Sequence, residues 1–248
     1  MDRTTLIVAS VLFLATLVRS VFGFGEALIA VPLLALVLPV TVAAPIAALV
    51  SITVAAIVVA QDWRHIQMRS AAWLVLSTLI GIPFGLLLLT RVPEPIVKAL
   101  LALVIISFSL QAMRAKRWHL ATDRFAWLFG VVAGVLGGAY GMNGPPLALY
   151  GSLRGWRPAE FRATLQGYFL PASAAGMLGY WIAGLWTPSV THFYLLSLPA
   201  VLVATVAGRA VHQRMSAKGF LLAVYGGLIV IGVVLLAQAV ISRPLTVL

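Results

Sequence analysis

The chain has 248 residues, 62% of them hydrophobic and 9% charged, with a mean hydropathy of +1.07 and a formal net charge of +11. Soluble domains carry about 25% charged residues, so the composition excludes a water-soluble fold and reads as an all-α polytopic membrane protein, in which helices satisfy their own backbone groups. The net charge is not a nucleic-acid signal, because the basic residues fall in short connections where Lys and Arg set orientation; the lack of cysteine excludes disulfides, thiolate metal sites and cysteine nucleophiles.

The length allows roughly eight membrane segments of about 20 residues. Residues 4–17 superficially resemble a secretory signal. Arg19 and Glu26 follow without a small-residue cleavage pattern, so the stretch reads as a retained first membrane segment. Uninterrupted apolar runs then cover 42–60, 71–90, 96–112, 165–185, 190–207 and 219–241, each near the length that crosses a bilayer. Two further apolar stretches, 5–39 and 125–153, carry glycine-rich breaks. The first break is Gly23, Phe24, Gly25 and Glu26; the second runs from Gly137 through Gly141, Met142, Asn143 and Gly144 to Pro146. The second stretch is too short for two full helices and predicts a helix–break–helix hairpin.

Paired breaks at matching positions of a duplicated membrane protein point to a transport site. A shift of about 120 residues brings the halves into weak register, which the search for internal repeats looks for first. The predicted units are repeat 1, about 1–118, and repeat 2, about 119–248. Strongly basic connections lie at 62–69, 113–124, 154–162 and 209–218. With all four on the cytoplasmic side, each glycine segment must return to the side it entered. Each half is then a broken-helix hairpin plus three transmembrane helices, and three crossings being odd, the repeat is inverted.

Of the six acidic residues, only Glu26 falls at apolar depth, where a carboxylate is costly and lines a cavity or pairs with a cation. It reads as a proton-coupling or gating group, as a cap on the half-helix after Gly25, or as the partner of Arg19. Arg19 reads as a snorkelling interfacial residue or a substrate ligand. Glycine permits tight backbone, while Pro32, Pro39, Pro45, Pro145 and Pro146 limit helix continuation. Half-helix N-termini freed there suit an anion. Asn143 adds a neutral donor and acceptor. Gln166 sits one turn beyond Arg162 on the same face, Arg162 reading as a cytoplasmic anchor. The predicted substrate-binding residues are therefore Gly23, Phe24, Gly25, Glu26, Gly141, Met142, Asn143, Gly144 and Gln166, with Glu26 also the coupling residue. Trp63, Trp73, Trp118, Trp127 and Trp186 fall near span ends, as interfacial belts do. No metal-binding, P-loop or hydrolase motif appears, so neither a metal nor a cofactor is expected, and the chain reads as a non-enzyme.

At Gly23 to Leu28 with Val31 to Leu34, and at Gly137 to Pro146, the sequence resembles the sulfite exporter TauE/SafE family of membrane permeases. The resemblance spans essentially the whole chain, with Glu26 departing from the family's more usual glycine run. It implies an inner (plasma) membrane secondary carrier, multi-pass, for small anions such as sulfite, sulfonates and other organosulfur anions. The expected partners are a small anionic solute, the lipid bilayer, protons as coupling ion, and a second copy in a homo-oligomer. The alternatives are a membrane-embedded enzyme or lipid-handling protein, and a non-transporting scaffold.

Overall fold

The computed structural model describes residues 2–114, 120, 122–212 and 217–241. Trp118, His119 and parts of the connections at 113–124 and 209–218 lie outside the described residues. The helices are α1 (Arg3–Phe22), α2 (Glu26–Leu34), α3 (Val40–Asp62), α4 (Met68–Arg91), α5 (Glu94–Arg114), α6 (Ala126–Tyr140), α7 (Gly144–Leu153), α8 (Pro158–Ile182), α9 (Pro188–His212) and α10 (Ala217–Ile241). Among the described residues there are no strands, as the predicted all-α polytopic fold requires.

Six of these helices, α1, α3, α4, α5, α9 and α10, are long and apolar enough to cross a membrane. Helix α8 is as long, at 25 residues, but more polar, because it buries Thr164, Gln166, Tyr168 and Ser173 within the protein. Helices α2, α6 and α7 have 9, 15 and 10 residues. At about 1.5 Å per residue none reaches the roughly 30 Å of a hydrocarbon core.

Both breaks are shorter than the sequence suggested. Helix α6 runs through Gly137 and Gly138 to Tyr140, leaving only residues 141–143 outside helix. Pro145 and Pro146 sit in the first turn of α7, where a missing N–H costs nothing. Pro32 and Pro45 lie inside α2 and α3 rather than ending them.

The second glycine segment returns to the end it entered. The Leu120 N–H donates to the Leu153 carbonyl at 2.8 Å, and Arg154 Nη1 donates back to the Leu120 carbonyl at 2.8 Å. Asp123 adds an ion pair with Arg154 at 3.1 Å and accepts from Tyr150 at 2.6 Å and Ser70 at 3.1 Å. Burial pushes the Asp123 pKa up, but Tyr150, Arg154, Ser70 and Arg69 together hold it below the ordinary carboxylate value. This latch ties the hairpin's mouth to α4.

The first segment is built alike at the other end. Asp2 at the start of α1 lies in the field of His192 near the start of α9, and Gly208 near the end of α9 abuts Ser20 and Leu17. Helices α1 and α9 therefore run parallel. Helix α3 leads to Gln67, whose N–H donates to Thr164 near the start of α8 at 2.9 Å. The 35–39 connection thus lies at the opposite end, where α1 began. Arg64, Arg69, Arg124, Arg154, Arg157 and Arg162 gather at the α8 start, against Arg3, Arg91 and Lys98 at the other end.

Helix packing recurs when the halves are exchanged. Helix α1 packs on α9 and α6 on α4; α3 packs on α9 and α8 on α4; α3–α8 and α5–α10 pair across the halves. Details follow suit. A Cβ on Gly23 would meet Arg162, fifth in α8, and one on Gly141 would meet Ala44, fifth in α3.

Candidate functional site

Helix α1 stops at Gly23, whose φ of 85° lets its N–H turn back to the Arg19 carbonyl at 2.6 Å. Gly25, at φ 98°, then opens α2. Helix α6 stops the same way at Gly141, φ 63°, with its N–H on the Gly137 carbonyl at 2.8 Å. These left-handed positions are where glycine is needed.

Neither half-helix that follows has a side-chain cap, so its first N–H groups lack intrahelical acceptors. Helix α2 offers the fuller set of donors. In α7 the two prolines leave only Asn143 and Gly144 to donate before Leu147. The two breaks touch: a Cβ on Gly144 would lie 3.9 Å from the Phe24 ring and 4.0 Å from the Gly25 nitrogen.

A cavity of about 20 Å³ lies at this junction, lined by Arg19, Gly25, Glu26, Ser51, Asn143 and Gly144 among others. That is room for about one water, not for an oxyanion, so loading a solute requires movement. Of the readings open for Arg19, the interfacial one fails: the residue is 2% exposed in the middle of the protein, paired with Glu26. Its Nη1 donates to Glu26 Oε2 and, at 2.9 Å, to Ser51 Oγ. Nη2 donates to Gln166 Oε1 at 2.6 Å and to the Ser51 carbonyl at 3.3 Å. The guanidinium also lies 4.9 Å from the centre of the Phe169 ring, a favourable cation–π position.

Glu26, 2% exposed, is the first residue of α2, where the helix dipole favours a carboxylate. A buried ion pair holds together because removing either member strands the other, at a cost of about 3–5 kcal/mol. Yet Glu26 Oε1 and Arg19 Nε, both buried, have no hydrogen-bond partner among the described residues.

The other predicted residues are mostly brought to the same place. Gly141, Met142, Asn143 and Gly144 line the cavity beside Gly25 and Glu26. Gln166 stands behind the wall: it accepts from Arg19 and donates through Nε2 to the Gly23 carbonyl at 2.9 Å, tying α8 to the first break. Phe24 turns aside, edge-on to Phe161 at 6.0 Å. Ser51, Ser173 and Phe169 were not foreseen. Ser173 donates to Ser51 Oγ at 3.1 Å. The one signal for Ser51 was its hydroxyl, which it shares with Thr53, in the otherwise apolar run 42–60. Among the described residues no group of three or more His, Cys, Asp or Glu side chains converges as metal ligands do.

A protein-family model described as "Sulfite exporter TauE/SafE" matches residues 8–235. The chain belongs to this family. A protein of Cupriavidus necator described as a probable sulfite/organosulfonate exporter TauE is 27% identical over 233 residues, covering 91% of each chain. No solved structure gives a significant match. As a TauE/SafE member with six membrane-length helices, the chain is a multi-pass transporter of the plasma membrane.

Proposed function

We propose that this TauE/SafE protein is a secondary transporter of small anions, with sulfite and organosulfonates as the first substrates to test. The observation that carries the reading is the junction itself: two half-helix N-termini, one rich in free N–H groups, meeting beside a buried arginine. Such an arrangement attracts negative charge from backbone dipoles and a fixed cation together. The name of the Cupriavidus necator relative supports the sulfur-oxyanion class.

The proposed site comprises Gly23, Gly25, Glu26, Gly141, Met142, Asn143 and Gly144, with Arg19 added and Gln166 as a positioning residue. We read the halves, about 1–118 and 119–248, as an inverted repeat whose relative rocking gives alternating access. The recurrence of packing partners with the halves exchanged supports this. Glu26, the only acid at this depth among the described residues, is the proposed proton-coupling residue.

The test is flux in proteoliposomes containing the full chain, with sulfite, methanesulfonate and acetate offered in turn. Sulfur oxyanions should move and respond to an imposed pH gradient. Glu26→Gln should retain anion movement and lose that response. A mutant with unchanged pH dependence removes Glu26 from coupling, and failure to move any anion removes the transport reading.

A further inference from the structure

Arg19 and Glu26 form a closed charge pair inside the site proposed for the solute, and a carrier of anions must reconcile the two. Among the described residues, the groups around Glu26 supply no second anion. Helix α1 contributes Arg19, α3 the neutral Ser51, and α7 Gly144 and Pro145. Helix α8 contributes Gln166, with Tyr168 buried deeper and Arg162 behind Gly23. From α10, Tyr225 lies across an apolar groove on the far side of Gly25. Among these residues, the guanidinium has one anionic partner.

That partner leaves part of the arginine unused. Glu26 engages Nη1 through Oε2, while its Oε1 and the Arg19 Nε stay buried without partners among the described residues. A guanidinium binds best when two parallel N–H groups meet two oxygens. An oxyanion head with two or three oxygens can take the place of Glu26 Oε2 on Nη1 and reach a neighbouring guanidinium N–H as well, with further oxygens toward the α2 N–H groups. The cavity, at about 20 Å³, has no room for such a head while the Glu26 carboxylate remains. The solute must replace Glu26 on Arg19.

Building on the anion-carrier reading, we infer that the transported anion and the Glu26 carboxylate compete for Arg19, Glu26 acting as a built-in stand-in for the solute. The class selected is a monoanionic oxyanion head, such as a sulfonate or hydrogen sulfite. In the exchange, Glu26 takes up one proton from water and becomes a neutral acid. Its bond to Arg19 opens, and the anion's oxygens accept from the freed guanidinium. The site is neutral before, as Arg⁺ with Glu⁻, and neutral after, as Arg⁺ with anion and protonated Glu26. One proton therefore accompanies each monoanion, and the loaded step carries no net charge.

The test is methanesulfonate binding to the purified full-length protein in detergent, by calorimetry, from mildly acid to mildly alkaline pH. Methanesulfonate stays a monoanion throughout, so any pH dependence belongs to the protein. The wild type should lose about tenfold in affinity per pH unit on the alkaline limb, as linkage to one proton requires. Glu26→Gln should bind more tightly and without that slope. The double variant Arg19→Gln/Glu26→Gln, which strands no charge and so stays foldable, should not bind. A pH-independent wild type, or a Glu26→Gln variant matching it, overturns the competition. Retained binding in the double variant also overturns it, while leaving the half-helix anion site in place. No binding of methanesulfonate or sulfite by any form overturns both.

Discussion

Arg19 joins three segments that are far apart in the chain: α1, Ser51 of α3 and Gln166 of α8. Its charge is tolerable there because Glu26 neutralises it. Arg19→Gln alone should therefore destabilise the protein by about 3–5 kcal/mol, whereas Arg19→Gln with Glu26→Gln should recover much of that loss. Thermal unfolding of the single and double variants in one detergent measures the coupling directly. Additive losses would mean that the pair is not the element holding α1 to α2. At this scale the sequence was half legible. Glu26 stood out as a lone deep acid, but Arg19 resembled an ordinary interfacial arginine because it precedes the break by only four residues. What decides its role is the turn at Gly23, which sends the chain back so that Glu26 returns to Arg19. Phe169 carries no local pattern and Ser51 only a hydroxyl in an apolar run; the α3–α8 contact brings them to the guanidinium.

The helix pair α4–α6 illustrates what composition alone confuses. Gly81 and Gly85 of α4 face Gly130, Gly134 and Gly138 of α6, four residues apart, and a Cβ on any of them would fall within 2.6 Å of the partner helix. On Gly134 it would lie 2.3 Å from the Thr78 carbonyl, and on Gly85 2.1 Å from the Val135 carbonyl. Small residues serve here as contact surface between membrane helices. Gly138 belongs to this ladder, although in sequence it merges with the break that begins three residues later. Helical glycines and left-handed glycines look alike until the partner helix is known, which is why the break read too long. The apolar runs themselves were legible, since a hydrocarbon core fixes their length. Gly134→Ala should force the helices apart and cost about 1–3 kcal/mol, despite alanine's better helix propensity. Gly176→Ala in α8, where an added Cβ meets nothing within 4 Å, should be neutral or stabilising. Parallel thermal unfolding of the two variants tests this, and equal stability would refute the close-contact role of α4–α6.

Across the whole molecule, the proposed inverted arrangement rests on where each glycine segment begins and ends, and the charge map pointed to it from sequence alone. Arginines cluster at the mouth of the α6–α7 hairpin, as the positive-inside rule expects of a cytoplasmic connection, and the Leu120–Leu153 hydrogen bond at 2.8 Å closes that mouth. The α1–α2 hairpin lacks such a charge signature; its orientation follows from α1 running parallel to α9, a contact that only folding creates. The sequence contains no cysteine, so single cysteines report position without background. Arg3→Cys, Val37→Cys and Ser189→Cys should all react with a membrane-impermeant maleimide on intact cells. Thr122→Cys and Ser152→Cys should react only in inside-out vesicles. The two comparisons that decide the matter are Arg3 with Val37 and Thr122 with Ser152, because each brackets one glycine segment. If either pair divides between the two faces, that segment crosses the membrane completely. A full crossing in one half alone leaves the two hairpins unlike and removes the inverted relation. The half-helix N-termini would then have no symmetry reason to meet beside Arg19.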